Sequence, residues 1–204
     1  DKFYDVLGKK SPKQIKKINL IKFLQMKQKI NVCFYSGSRS EYGILSSLIS
    51  EFAKNKKINT HLVLSGTHFD SKFGSSYKEV KKENTSYEKI KLNLKSESFL
   101  TVTNSMGTLF KKISFYFDKK KIDYLFILGD RHDLIPVAYS ALLKQISICH
   151  IHGGELTSGV IDDYVRHSVT KLSNFHFVSN LNYKKRIEPL GENPKHVFPV
   201  GSTS

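Results

Sequence analysis

From Ile30 onward, short apolar segments alternate with amphipathic ones, and this alternation restricts the fold more than any other feature of the chain. Short runs of β-branched and aromatic residues predict strands, and apolar residues at helical spacing predict helices. A regular succession of strands and helices is typical of βαβ units, in which crossover helices join parallel strands. The sequence therefore predicts an α/β fold built on a doubly wound parallel sheet.

The predicted elements follow one another with short connections. Strands are predicted at residues 30–35, 61–64, 124–128, 146–151 and 175–178, with a last extended piece at 197–200. Helices are predicted after Ser40, which we expect to be the N-cap of the first, and at 99–117, 134–144, 162–172 and 181–190. The polar, lysine-rich segment 69–98 is only weakly periodic, so the sequence predicts a long loop there, with a strand or helix whose position the pattern does not give.

A formal net charge of +15 suggests nucleic-acid binding, because clustered cations neutralise phosphates. Only four of the 33 basic residues are arginine, however, and the lysines are scattered among Asn and Ile, as in a lysine-rich proteome. We therefore expect no nucleic-acid partner. Where lysine is the default cation, an arginine indicates a need for its planar fork. Arg39, Arg131 and Arg166 all lie in the motifs described below.

The length of 204 residues suits one substantial domain. We interpret residues 1–28 as a basic N-terminal segment, either a linker or the tail of an upstream domain, and residues 29–204 as the α/β domain. No apolar run approaches the roughly 20 residues that a bilayer requires. Cys33 and Cys149 form no paired framework, which fits a reducing compartment. We expect a cytoplasmic protein without a membrane partner.

Five short motifs follow predicted strands, where the carboxyl ends of a parallel sheet meet and ligands bind. They are SGSRSEYG at 36–43, SGTH at 65–68, GDRH at 129–132, HIHGGE at 150–155 and IDDYVRH at 161–167. The first combines a glycine turn with a helix N-terminus, which favours anions. Since carboxylates, histidines and arginines share this rim, the sequence predicts a catalytic site there.

Three carboxylates of this rim are the candidate acids and bases: Asp130, Glu155 and Asp162. Taken singly each could be structural, and Asp162 could simply cap its helix. His150 and His152 are alternate residues that point to opposite sides, so we expect no metal site. No serine lies in a GxSxG pattern, so a Ser-His-Asp triad is poorly supported.

Together these motifs resemble the UDP-N-acetylglucosamine 2-epimerases, and the HIHGGE and GDR strings resemble the hydrolysing branch used in sialic-acid and related nonulosonic-acid synthesis. The resemblance runs over about residues 27–202. It implies the N-terminal, Rossmann-like half of a GT-B type fold, in which two such domains face each other across a cleft. In that family the C-terminal domain, which this chain lacks, provides most of the contacts with UDP, so we expect the isolated chain to bind UDP-sugar poorly and to turn it over slowly or not at all.

The resemblance also implies a reaction and a set of residues. UDP is eliminated across the C1–C2 bond of the sugar in UDP-N-acetylglucosamine, which gives a glycal. Water then adds to this glycal to give N-acetylmannosamine. Acid/base roles are implied for Asp130, Glu155 and Asp162, with Asp163 as the alternative to Asp162. The implied substrate-binding residues are Arg39 at the diphosphate, then His68, Arg131, Arg166 and His167. No metal or other cofactor is implied, and homo-oligomers are compatible with the family.

Two alternatives stay open. The substrate could be the UDP-2,4-diacetamido-2,4,6-trideoxyhexose of the legionaminic-acid route. The domain could also belong to a GT-B glycosyltransferase or to a sugar-nucleotide binding module, since a fold does not determine a function.

Overall fold

The computed structural model of the chain describes residues 29–82, 86–92, 94, 96, 98–157 and 161–201. The strands are β1 Ile30–Ser36, β2 Ile58–Leu64, β3 Glu88–Lys89, β4 Tyr124–Leu128, β5 Ser147–Ile151, β6 Phe175–Val178 and β7 Val197–Pro199. The helices are α1 Arg39–Ala53, α2 Tyr77–Lys82, α3 Phe99–Lys119, α4 Leu134–Leu143, α5 Ile161–Leu172 and α6 Leu181–Ile187. The interpretation of residues 1–28 lies outside the described residues.

All neighbouring strands pair in parallel, in the order β3-β2-β1-β4-β5-β6-β7. The chain runs outward in one direction from β1 to β3 and in the other direction from β4 to β7, so β1 and β4 flank the switch point. Ligands bind such sheets beyond the carboxyl ends of the strands, at this point. The predicted α/β, doubly wound parallel sheet of the Rossmann-like type is confirmed.

Both faces of the sheet are covered, which explains why the central strand β4, of sequence YLFIL, has no charged residue and is largely buried. Leu125 and Ile127 of β4 belong to a core that includes side chains of α3, α4 and α5. Phe126 and Leu128 of the same strand point to the opposite face and belong to a second core with α1. Alternate residues of one strand therefore anchor two helical layers.

A row of aromatic rings crosses the second face. Phe34 of β1 stacks on Phe126 of β4 with ring centroids 5.1 Å apart. Phe126 lies 6.0 Å from Phe177 of β6, and Phe177 lies 5.4 Å from Phe198 of β7. Cys149 of β5, opposite Phe126 in the register, is the small residue of the row. The row keeps the strands that end at the rim in fixed relative positions.

The expectation that Ser40 caps the first helix is wrong. Ser38 is the N-cap, in an extended conformation, and its hydroxyl accepts a hydrogen bond from the Glu41 backbone N–H. The Glu41 carboxylate accepts in return from the N–H of Ser38, at 3.1 Å, which completes a capping box. Helix α1 therefore begins at Arg39, the fourth residue of the SGSRSEYG motif.

Other boundaries moved for local reasons. Strand β2 begins at Ile58 rather than at 61, because Asn59 and Thr60 pair with β1 although they are polar. The predicted helix 181–190 divides into α6 and a 3₁₀ turn at Glu188–Leu190, where Pro189 offers no backbone N–H. Segment 69–98 contains the 3₁₀ turn Ser71–Phe73, α2 and the two-residue β3, all too short to show a period.

The turns after β1 and β2 pack directly on each other. The N–H and hydroxyl of Thr67 both donate to the carbonyl oxygen of Gly37, at 2.9 and 3.3 Å. Gly66 has a φ of +57°, and a Cβ there would lie 2.3 Å from the same oxygen. Only glycine lets these turns approach so closely.

No helix in the described part of the chain is long and apolar enough to cross a membrane.

Substitution of Gly66 by alanine tests this close approach. We expect Gly66→Ala to lower the free energy of unfolding by more than about 1 kcal/mol, because the new methyl group meets backbone at a left-handed φ. The matched control is Gly43→Ala in α1, where a Cβ meets nothing within 4 Å. There we expect a gain of about 0.5–1 kcal/mol. Urea unfolding measures both, and equal effects would contradict the packing described.

Candidate functional site

The guanidinium of Arg166, in α5, joins the loops that follow β4 and β5. Its side chain is only 5% exposed. One terminal nitrogen donates to the carbonyl oxygen of His152 at 2.9 Å and lies 3.7 Å from Glu155. The other donates to the Thr157 hydroxyl at 2.7 Å and forms an ion pair with Asp130. We call Asp130, Glu155, Thr157 and Arg166 the Arg166 cluster.

Glu155 is held at the rim by a second set of contacts. Its Oε1 accepts a hydrogen bond from the Ser179 hydroxyl at 2.8 Å and lies 3.6 Å from His152 Nδ1. Burial lowers the pKa of His152, although the Glu155 carboxylate opposes this. The side chains of Asp130 and Glu155 keep 24% and 26% of their surface exposed. Two carboxylates of the cluster are therefore accessible from solvent while their orientation is restrained.

The HIHGGE motif makes the bend that brings Glu155 to the rim. β5 ends at Ile151, and His152 and Gly154 have positive φ angles of 63° and 74°. A Cβ at Gly154 would lie 2.7 Å from the Tyr183 carbonyl oxygen. The second glycine is thus required both by the turn and by its contact with α6.

A second group of charges surrounds Arg131. Its Nε donates to Asp133 Oδ1 at 3.1 Å and lies 3.7 Å from Glu41 Oε1. Asp133 also accepts from the Tyr35 hydroxyl at 2.9 Å. Burial, followed by the negative charge of Asp133, raises the pKa of Glu41 to about 8, so this carboxyl is largely protonated at neutral pH. The Arg131 guanidinium is therefore oriented by the buried carboxylate of Asp133 and by the largely protonated carboxyl of Glu41.

Arg131 and Arg39 line one cavity of about 570 Å³ at the ends of β1 and β4. Its other lining residues are Ser38, Ser40, Thr67 and Phe73. Arg39 is 70% exposed and contacts Glu79 through two nitrogens, at 3.1 and 3.0 Å. An exposed pair of this kind contributes little to stability. Arg39 can therefore release Glu79 and bind an anionic ligand with little loss of folding free energy.

The structure places His68 inside the protein, with no exposed surface. Its Nε2 lies 2.9 Å from the Ser36 hydroxyl and its Nδ1 lies 2.8 Å from the Ser76 hydroxyl. Burial, followed by the charge of Arg131, lowers the pKa of His68 to about 4. His68 is therefore a neutral, buried side chain that supports the turn after β1 through Ser36. Its burial leaves it no direct contact with a ligand.

The two candidate aspartates, Asp162 and Asp163, are adjacent residues in the first turn of α5, but their contacts differ. Asp163 lies 3.5 Å from His167 Nε2 and accepts from the Thr157 N–H at 3.5 Å. Asp162 is half-buried, and within the described residues no hydrogen bond or ion pair occupies its carboxylate.

Of the site residues predicted from the sequence, the structure brings Asp130, Glu155 and Arg166 together, whereas Arg39 and Arg131 line the neighbouring cavity.

Sequence reasoning missed several polar residues that support the site. Thr157 and Ser179 are single hydroxyls in loops, and only their contacts with the Arg166 cluster distinguish them from surface residues. Asp133 directly follows the GDRH motif and Tyr35 is the last residue of the predicted first strand, so their positions next to the rim were visible in the sequence. In the described residues no group of three or more His, Cys, Asp and Glu side chains is arranged to hold a metal ion.

Residues 50–204 match the family of UDP-N-acetylglucosamine 2-epimerases. The GDP/UDP-N,N'-diacetylbacillosamine 2-epimerase (hydrolyzing) of Campylobacter jejuni is 40% identical over 174 residues, which are 85% of this chain and 45% of that protein. The UDP-N-acetylglucosamine 2-epimerase of Neisseria meningitidis is 33% identical, over 82% of this chain and 44% of its own.

A crystal structure of the UDP-GlcNAc 2-epimerase from Neisseria meningitidis, bound to UDP-GlcNAc, has a TM-score of 0.74 to this chain. The match covers 85% of this chain and 47% of that one, at 18% identity, so it shows the fold alone. The chain spans about half the length of the relatives it matches.

Removal of the Arg166 guanidinium should destabilise the fold. Arg166→Met leaves the partly buried Asp130 carboxylate without its positive partner, so we expect a loss of about 3 kcal/mol in the free energy of unfolding. The control Arg39→Met breaks an exposed pair and should change stability by less than about 1 kcal/mol. Urea unfolding at neutral pH compares them. A similar small effect for both would show that Arg166 does not hold the loops.

The buried neutral histidines predict a loss of stability in mild acid. The unfolded chain binds a proton at His68 near pH 6.5, whereas the folded chain does so only near pH 4. Between these values the unfolded state binds more protons, so stability falls as pH falls, by about 1 kcal/mol per pH unit for one such group. His68→Gln should reduce this slope without abolishing it, because His150 is also buried and neutral. Urea unfolding across this pH range measures the slope, and an unchanged slope would contradict the assignment.

Proposed function

Because this chain belongs to the UDP-N-acetylglucosamine 2-epimerase family, we propose that it carries the acid/base half of a hydrolysing 2-epimerase acting on a UDP-linked 2-acetamido sugar. The observation that carries the proposal is the Arg166 cluster, in which Asp130 and Glu155 remain accessible on either side of one buried guanidinium. The cavity lined by two arginines lies beside this cluster at the same edge of the sheet.

The proposed reaction has two steps. A base removes the proton from C2 of the sugar, the electron pair forms the C1–C2 double bond, and the C1–oxygen bond breaks to release UDP. Water then adds to this glycal, with hydroxide at C1 and a proton at C2 from the opposite face. With UDP-N-acetylglucosamine the products are UDP and N-acetylmannosamine. Only protons are exchanged with the protein, so the steps require a base, an acid and cations for the diphosphate.

We assign the acid/base set to Asp130, Glu155 and Asp162 without assigning each its step. The ion pair with Arg166 orients Asp130, and Ser179 orients Glu155. Asp162 is preferred over Asp163 because Asp163 is already engaged with His167 and the Thr157 N–H. Carboxylates in such different surroundings are suited to hold and release protons at different points of a reaction.

The diphosphate is proposed to lie at the N-terminus of α1, between Arg39 and Arg131. Both guanidinium groups line the cavity there, and helix N-termini favour anions. Arg166 and His167 support the sugar side through the contacts of Asp130 and Asp163. His68 supports the diphosphate side through Ser36 at the end of β1.

A second Rossmann-like domain is proposed to complete the UDP site, in keeping with a chain that spans about half of its relatives. The protein is proposed to work in the cytoplasm, since Cys33 and Cys149 are buried free thiols that fit a reducing compartment. A homo-oligomer is compatible with this site. We propose neither a nucleic-acid nor a membrane partner, and the proton chemistry requires no redox cofactor.

The relatives favour a second candidate sugar. The Campylobacter jejuni protein, named for diacetylbacillosamine, is more similar to this chain than the Neisseria meningitidis protein named for N-acetylglucosamine. The two sugars differ at C4 and C6 and are identical at C1 and C2, where the reaction occurs. Both are therefore tested as substrates of the same chemistry.

The first test follows each UDP-sugar by proton NMR in heavy water, with this chain and with a version that carries the second domain. We expect free UDP together with the free 2-epimer deuterated at C2, faster in the two-domain form. UDP release only after an acceptor is added would instead indicate a glycosyltransferase. Binding without turnover of either sugar in the two-domain form would indicate a binding module.

The second test removes the carboxylates. Asp130→Asn and Glu155→Gln should each lower kcat by about 100-fold or more, because each removes a group that exchanges a proton with substrate. The control is Asp118→Asn, which breaks an exposed ion pair between Asp118 of α3 and Lys144 at the C-terminal end of α4 and should keep full activity. Loss of nucleotide affinity with unchanged kcat would contradict the acid/base assignment.

A further inference from the structure

His150 is a buried histidine that the proposed reaction does not use. It lies in β5 with no exposed surface. Its Nε2 is 2.7 Å from the carbonyl oxygen of Gly129, and its Nδ1 is 3.3 Å from the Thr170 hydroxyl. Gly129 directly precedes Asp130, so His150 contacts the peptide that leads into a proposed catalytic carboxylate.

The chemistry of these partners determines which nitrogen carries the proton. A carbonyl oxygen can only accept, so Nε2 must be protonated and donate to Gly129. Nδ1 is then the acceptor, and the Thr170 hydroxyl donates to it. Burial lowers the pKa of the imidazole to about 3, so the ring stays neutral near neutral pH. One tautomer therefore persists over the range in which an enzyme of this kind works.

Gly129 is held on both of its sides. Its N–H donates to the Ile151 carbonyl oxygen at 3.0 Å, and its carbonyl oxygen receives the His150 proton. Its φ is +83°, a conformation that glycine adopts readily. Because a peptide unit is planar, fixing the Gly129 carbonyl also fixes the plane that contains the nitrogen and Cα of Asp130.

We propose that His150 is a positioning residue, which directs the Asp130 side chain toward Arg166 and the substrate by holding the Gly129 carbonyl. The inference rests on the proposed function, in which Asp130 exchanges a proton with the sugar. His150 itself touches neither substrate nor reacting atoms. Its role depends on a neutral N–H at the Nε2 position and not on a charge.

Two near-isosteric variants separate this role from simple packing. The amide nitrogen of glutamine reaches the position of Nε2, so His150→Gln can still donate to Gly129. The shorter asparagine places its amide at the position of Nδ1, so His150→Asn cannot. We expect His150→Gln to keep kcat within about threefold of the wild type. His150→Asn should lower kcat by about 100-fold, with KM within about twofold, because a displaced catalytic group slows the chemical step.

The kinetic measurement uses the form of the protein that turns over UDP-sugar, and thermal unfolding confirms that each variant is folded. The matched control His61→Asn changes a half-buried histidine of β2 and should keep full activity. Equal losses in both His150 variants, or a change confined to KM, would overturn the proposal. If the wild type itself turns over neither sugar, the proposed function fails rather than the His150 assignment.

A measurement without turnover covers the case in which His150→Asn does not fold. Long-range proton–nitrogen NMR of the 204-residue chain reports which imidazole nitrogens carry protons. We expect His150 to show a protonated Nε2 and an unprotonated Nδ1 throughout the neutral range, with a slowly exchanging Gly129 amide. A ring protonated at Nδ1, or at both nitrogens, would overturn the proposal.

Discussion

The site depends on one buried ion pair, between Arg166 and Asp130. A guanidinium with 5% of its side chain exposed must find its hydrogen-bond acceptors within the protein, and here the acceptors of its two terminal nitrogens come from two separate loops. The Asp130 carboxylate follows β4, the His152 carbonyl and Thr157 hydroxyl follow β5, and the arginine is on α5. Each loop is therefore held in the conformation that satisfies the arginine, and Glu155 is carried to the rim with them.

Three buried titratable groups near the charged residues of the rim are mostly uncharged at neutral pH. His68 and His150 are uncharged, and Glu41 is largely protonated, because burial disfavours their charged forms. All three hold backbone or hydroxyl groups of the loops after β1 and β4. Asp133 is then the buried carboxylate that pairs directly with Arg131, while the neighbouring Glu41 adds little negative charge beneath the rim. The overall charge of +15 plays no part in this arrangement.

The fold and most of the rim were predictable, whereas the contacts within it were not. Apolar strands such as Tyr124–Leu128 show their burial on both faces directly, so element type and order follow from the pattern. β3 has only two residues and no pattern of its own; it exists because Ile90 and its neighbours pair along β2. Likewise Ser38 rather than Ser40 caps α1, since the reciprocal bond with Glu41 is a matter of geometry.

The sequence by itself determined a parallel α/β sheet and the motifs at its carboxyl edge, because hydrophobic periodicity and glycine turns are local properties. Only the tertiary structure decided which of those residues meet. It buried His68 while leaving Arg39 exposed, and it joined Asp130 to Arg166 across 36 positions of chain. Among the described residues it engaged Asp163, but not Asp162, in hydrogen bonds and ion pairs. Such pairings depend on how separate strands and helices pack, and no local pattern in the chain encodes the distance between two side chains.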